Sequence, residues 1–136
     1  MSPLTVQRLE KLVVVIVAVV VAVVRYPSWW WVVVASFLVF DLSMVGYVRS
    51  ARAGAICYNA VHTYLWPGAL AVVAISTAGH APAVSTWTGI TACAWAFHIG
   101  VDRMFGFGLK LPDGFTHTHL GRIGRGAGSE PTAPRL

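Results

Sequence analysis

His98 and Asp102 stand four residues apart in the stretch FHIGVDRM. On a helix that spacing puts both side chains on one face. Imidazole nitrogen and carboxylate oxygen are ligands that suit zinc, iron or manganese, and without a metal the same pair can serve as general acid and base. The spacing alone carries little weight, because it arises often by chance. Asp41 and His62 add a carboxylate and an imidazole from two other apolar runs, and His117 and His119 follow in the sequence THTH. The chain has only five acidic residues and five histidines, so carboxylates inside apolar runs call for an explanation.

The elements that must carry these groups are apolar. The chain has 136 residues, room for one domain, and is 57% hydrophobic and 11% charged. A soluble chain this small could not hide so much apolar surface. The net charge is +5, but the basic residues come singly or in close pairs, which excludes the dense basic run of a nucleic-acid binder. Cys57 and Cys93 lie in apolar stretches and read as small packing residues rather than a disulfide framework.

Four helices are expected, at about 10–25, 28–48, 53–78 and 83–105. The Val-rich runs favour strands by propensity, but runs of this length in lipid satisfy their backbone groups as helices. Pro67 is expected to kink the third, with Gly68 adding pliancy. The fold class is therefore all-α: an integral membrane four-helix bundle over residues 1–120, with an interfacial segment at 106–120 and a disordered tail at 121–136. The first span has the basic start and apolar centre of a signal peptide, but VVRYPSWWW follows it without a small-residue cleavage pattern.

Arginine and lysine set the orientation. Arg8 and Lys11 precede the first helix, Arg49 and Arg52 separate the second and third, and Arg103, Lys110, Arg122 and Arg125 follow the fourth. The positive-inside rule puts both termini in the cytoplasm, with Trp29–Trp31 and Tyr26 at the outer interface.

On this frame Asp41 lies eight residues before Arg49, about 12 Å inside the cytoplasmic end at ~1.5 Å per residue. His62 lies ten residues after Arg52, and His98 five before Arg103, with Asp102 a turn nearer the cytoplasm. Three helices thus bring ionisable groups to one depth, and lipid exposure of any of them is costly. His62, His98, Asp102 and Asp41 form a candidate ligand set for a divalent metal such as zinc. With His119 they are also the candidate catalytic residues. Glu10, Tyr47, Asn59, Tyr64, Arg103 and Lys110 are candidate substrate-binding or supporting residues, and Tyr58 flanks His62 at the four-residue spacing.

Structural readings stand beside these. Asp102 can pair with His98 or Arg103, His62 with Asn59 or a carbonyl near Pro67, and Asp41 with Tyr47 or an interfacial arginine. The stretch MFGFGLKLPDGF after the fourth helix is too rich in glycine to continue it and too apolar to drift in water. It is expected to lie on the inner membrane face or fold back under the bundle mouth, bringing Lys110, Asp113, His117 and His119 beneath the cluster.

Four blocks also resemble a known family: RLE at 8–10, DLSMVGY at 41–47, GAICYNAVHTYLWP at 54–67 and HIGVDRMFGFGLKLPDGFTHTHLG at 98–121. The family is a group of small bacterial membrane proteins catalogued as domain of unknown function 4260. Its pattern has Tyr where Phe107 stands and no histidine counterpart for His117. The resemblance implies a four-helix protein of the bacterial inner (cytoplasmic) membrane and supplies no activity, substrate or cofactor.

The leading functional expectation is a metal-assisted hydrolase of a lipid or other amphipathic molecule. A proton-relay or transport component and a structural or accessory subunit are the alternatives. Membrane lipids, an amphipathic small-molecule substrate and a second copy of the chain are the expected partners. The outer halves of the spans carry few ionisable groups, and no internal repeat is visible, which argues against a through-pathway in a monomer.

Overall fold

The computed structural model describes residues 3–123. The fold is all-α, with four helical segments and a small hairpin at the C-terminal end of the described region. The first segment, α1 (Pro3–Arg25), begins earlier than about residue 10, because Pro3 takes the first helical position, where its missing N–H is not needed.

The second segment joins one α-helical turn, α2 (Val32–Ala35), to a 12-residue 3-10 helix, η1 (Phe37–Val48). Runs of that winding seldom exceed four residues or so. Here three residues per turn agree with the side chains. Val39, Leu42, Val45 and Val48 make one exposed stripe, while Phe37, Phe40, Asp41 and Met44 are half-buried on the others. A regular α-helix over 28–48 is thereby corrected.

The third segment is two helices, α3 (Ala51–Val61) and α4 (Leu65–Thr77). The break falls at residues 62–64, not at Pro67 as expected. Pro67 instead occupies the first turn of α4, where the absent N–H leaves no bond unmade. Three carbonyls at the break have side-chain donors. Trp66 donates to Ala60 O (2.7 Å), Trp95 to Val61 O (2.8 Å) and Arg103 to His62 O (3.0 Å). Ser50 caps the start of α3 by accepting from the Ala53 N–H.

The fourth segment, α5 (Pro82–Met104), is central and packs on α1, α2 and α4, while η1 packs mainly on α3. Ala22, Val33, Ile90, Cys93 and Ala94 form the apolar core between α1, α2 and α5. Both cysteines are free thiols. The η1–α3 crossing depends on two glycines. A Cβ on Gly46 would lie 2.9 Å from Ala53 O, and one on Gly54 only 2.2 Å from the Tyr47 ring. Among the described residues, Ala51–Thr77, 27 residues in all, is the helical stretch long and apolar enough to cross a membrane by length and composition.

After α5 the chain folds back against α3. Strands β1 (His117–Thr118) and β2 (Gly121–Arg122) pair antiparallel, and Gly121, at φ +110°, takes the left-handed conformation that the tight return needs. The tail expected to be disordered from 121 is ordered as far as residue 123, and the rest of it lies outside the described residues.

Candidate metal centre and its access cavity

Each member of the cluster is positioned by a local feature. His62 follows the last residue of α3, and both its backbone N–H (2.8 Å) and its Nδ1 (2.9 Å) bond to Tyr58 O. That double contact turns the ring back over Tyr58, with the two rings stacked at 3.6 Å. Because Nδ1 donates to a carbonyl, Nε2 carries the lone pair. His98 is fully buried on α5 between Phe37 and Phe40, whose ring centroids lie 4.7 and 5.2 Å away. Asp102 lies one turn further along α5 and accepts from the Tyr58 hydroxyl at 2.8 Å. Asp41 is brought in by the winding of η1.

The functional atoms converge. His62 Nε2 and His98 Nε2 are 2.9 Å apart. Asp41 Oδ1 is 3.7 Å from each of them, and Asp102 Oδ2 is 3.4 Å from His62 Nε2 and 3.8 Å from His98 Nε2. One ligand atom from each of the four residues lies within 4.8 Å of all the others. Ligands about 2.0–2.1 Å from a tetrahedral zinc stand roughly 3.3 Å apart, so this group could hold a metal ion with small adjustments. Two carboxylates around two imidazoles with inward nitrogens also leave negative charge that a dication balances. The Tyr58 carbonyl orients His62 in the manner usual for ligating histidines, whereas His98 Nδ1 has no hydrogen-bond partner among the described residues.

A cavity of about 210 Å³ opens on the two carboxylates, lined by Asp41, Met44, Tyr58, Asp102, Phe107, Lys110 and Phe115. Lys110 is almost fully buried. Burial pushes its ammonium below the ordinary lysine value, and Asp102 and Asp41 pull it part of the way back. Its backbone is clamped by Asn59, which donates to Lys110 O at 2.9 Å and accepts from Lys110 N at 2.7 Å.

Of the structural pairings considered for these residues, Asp102 with His98 forms at 3.8 Å, and His62 bonds a carbonyl, that of Tyr58; the others do not form among the described residues. Tyr47 packs on Phe115 with its hydroxyl unpartnered instead of bonding Asp41. Arg103 bonds the His62 carbonyl instead of Asp102. Asn59 serves Lys110, not His62.

Other sequence candidates lie elsewhere. Glu10, Arg103 and His119 line a separate cavity of about 190 Å³, together with Arg8 and Lys11. His119 Nδ1 accepts the Leu109 N–H at 2.8 Å, so this residue stands apart from the cluster and holds the loop. Tyr64 stacks beneath Arg103 and Lys11 at 5.0 and 5.5 Å. His117 pairs with Asp113, which holds that exposed carboxyl below its usual range. Sequence reasoning did not count Tyr58 in the site, although its four-residue offset from His62 was the available signal.

A broken helix, a 3-10 helix and a central helix converging on an inward His/Asp cluster define an all-helical protein with a candidate metal centre. The sequence matches the Domain of unknown function (DUF4260) family over residues 4–123, and the chain belongs to that family. No curated protein and no solved structure matches the chain.

Proposed function

We propose that the protein is an integral membrane hydrolase that uses a divalent metal, zinc by its donor set, on an amphipathic substrate. The observation that carries this reading is the meeting of His62 Nε2, His98 Nε2, Asp41 Oδ1 and Asp102 Oδ2 beneath an open cavity. His62, His98 and Asp102 are the ligands, matching the three protein donors and one open position of catalytic zinc sites. Held by these residues, a dication would lower the pKa of a bound water to about 7 and so would supply hydroxide at neutral pH. Asp41 accepts no hydrogen bond among the described residues and faces the same space. It takes the proton of the attacking water and returns it to the leaving oxygen as the substrate ester bond breaks. Tyr58 holds Asp102 in position through its hydroxyl.

The membrane setting is supported by inverted polarity. Leu38, Leu42 and Val45 are each 71% exposed, Ile75 is 79% exposed, and His62 and His98 are enclosed. Such a surface suits lipid, with the bundle as four crossings and both termini cytoplasmic by the arginine bias.

Metal analysis of the purified protein tests the reading. One ion per chain is expected after zinc loading, with His98→Gln reducing it to background and Asp41→Asn retaining it. No ion in the wild-type protein would sink the hydrolase. Loss of metal in Asp41→Asn as complete as in His98→Gln would make Asp41 a fourth ligand and close the open position. The direct His62–His98 contact favours a second reading, a proton relay, in which one imidazole donates to the other and no metal binds.

A further inference from the structure

Lys110 is not used by the reaction just described, yet it is among the most buried polar residues of the protein, 3% exposed. Its Nζ has no hydrogen-bond partner among the described residues. The ammonium lies 4.0 Å from the Phe115 ring centroid, 5.0 Å from that of Tyr58 and 5.6 Å from that of Phe107. A lysine serving only to neutralise Asp41 or Asp102 would bond one of them, because an unpaired buried charge is expensive. Lys110 forms no ion pair with either among the described residues. It is also held rigidly. Asn59 clamps both its backbone groups, Thr118 bridges to it, and His119 fixes the preceding N–H. Three devices therefore fix an unpartnered cation in the wall of the cavity that leads to the cluster.

We infer that Lys110 is the recognition residue for an anionic oxygen headgroup, and that the substrate is an acidic amphiphile whose apolar part lies against Met44, Phe107 and Phe115. The inference rests on the hydrolase reading and adds its substrate class. Charge supports it: a dication balances the two carboxylates, so Lys110 leaves the cavity one positive charge in excess. The aromatic rings hold the ammonium while the cavity is empty, and an entering acid supplies the charge-assisted bond it lacks. Lys110→Met keeps the length and the ring contacts and removes the charge.

The test uses the full chain in nanodiscs of neutral phosphatidylcholine, titrated calorimetrically with dodecyl phosphate, with inorganic phosphate, and with zinc. Dodecyl phosphate is expected to bind the wild type and to weaken by about 10- to 100-fold in Lys110→Met, the range for a lost charged hydrogen bond. Zinc affinity should not fall, and Lys110→Arg should restore most of the phosphate affinity. Equal binding by Lys110→Met would overturn the inference, and so would inorganic phosphate binding as tightly as the amphiphile. A measurement on the wild type guards against misfolding of the variant. Between about pH 8 and 11 the phosphate stays a dianion while lysine loses its proton. Affinity must therefore fall across that range, and unchanged binding overturns the inference. Lys110-dependent binding without zinc uptake would remove the hydrolase and leave the headgroup site. Zinc uptake with no Lys110 effect would do the reverse.

Discussion

Tyr58 connects the two sides of the cluster. Its ring stacks on His62, its carbonyl accepts a hydrogen bond from His62 Nδ1, and its hydroxyl donates to Asp102. Tyr58→Phe deletes only the hydroxyl, so the stacking should survive while Asp102 is freed to turn. Loss of such a supporting bond typically lowers metal affinity about 10- to 100-fold. Competition with a chelating dye should read that loss in a protein of unchanged helix content; unaltered affinity would make Tyr58 a packing residue only. Asp41, His62, His98 and Asp102 were legible as a group because each could be counted inward from a flanking arginine, and depth along a helix is a linear function of sequence. Lys110 was legible as a substrate-binding or supporting candidate, but not as a buried one. Its burial comes from a loop folded on Asn59, which is a contact across 51 residues with no periodic signature.

At the scale of elements, the two irregular helices do most to shape the site. The break between α3 and α4 frees His62 to turn back, and the crossing of η1 on α3 sets where Asp41 arrives. Gly54→Ala puts a methyl into the Tyr47 ring at 2.2 Å. The ring must swing and part η1 from α3, for a loss of about 1–3 kcal/mol. Thermal unfolding in detergent should fall accordingly, and hydrolysis should slow with it as Asp41 is displaced, with zinc retained. A variant with wild-type melting would show that the crossing is not tightly packed. The helical class was readable from run length, but the break was misassigned to Pro67. Proline signals only that a boundary is near, and a first-turn position satisfies it as well as a kink. The 3-10 winding was visible in principle, since Val39, Leu42, Val45 and Val48 recur every three residues, but an apolar run hides a period of three from one of 3.6. The hairpin at 117–122 is split in the sequence between the interfacial segment and the tail, because a pair of two-residue strands leaves no alternation to detect.

For the whole molecule, the proposed topology makes a direct prediction. With both termini cytoplasmic, a cysteine added to the C-terminal tail should resist a membrane-impermeant thiol reagent in intact cells and react after lysis; labelling in intact cells would reverse the orientation and move the cluster to the other leaflet. Here α1 and α5, at 23 residues each, reach about 35 Å, enough to cross a hydrocarbon core of about 30 Å. The second segment does so with fewer residues, because a 3-10 helix rises about 2.0 Å per residue. Its tight thread has another effect, which concerns rotation. Relaxing η1 to α-helical pitch would reduce the turn per residue from about 120° to about 100°. Seven residues separate Asp41 from Val48, so with the Val48 end held that unscrewing adds up to roughly 140°. The carboxylate would swing from the cluster toward the outer stripe. Asp41 therefore faces its histidines in only one of the two windings, and its attraction to a cation held by His62, His98 and Asp102 would act as a torsional lock on the helix that delivers it.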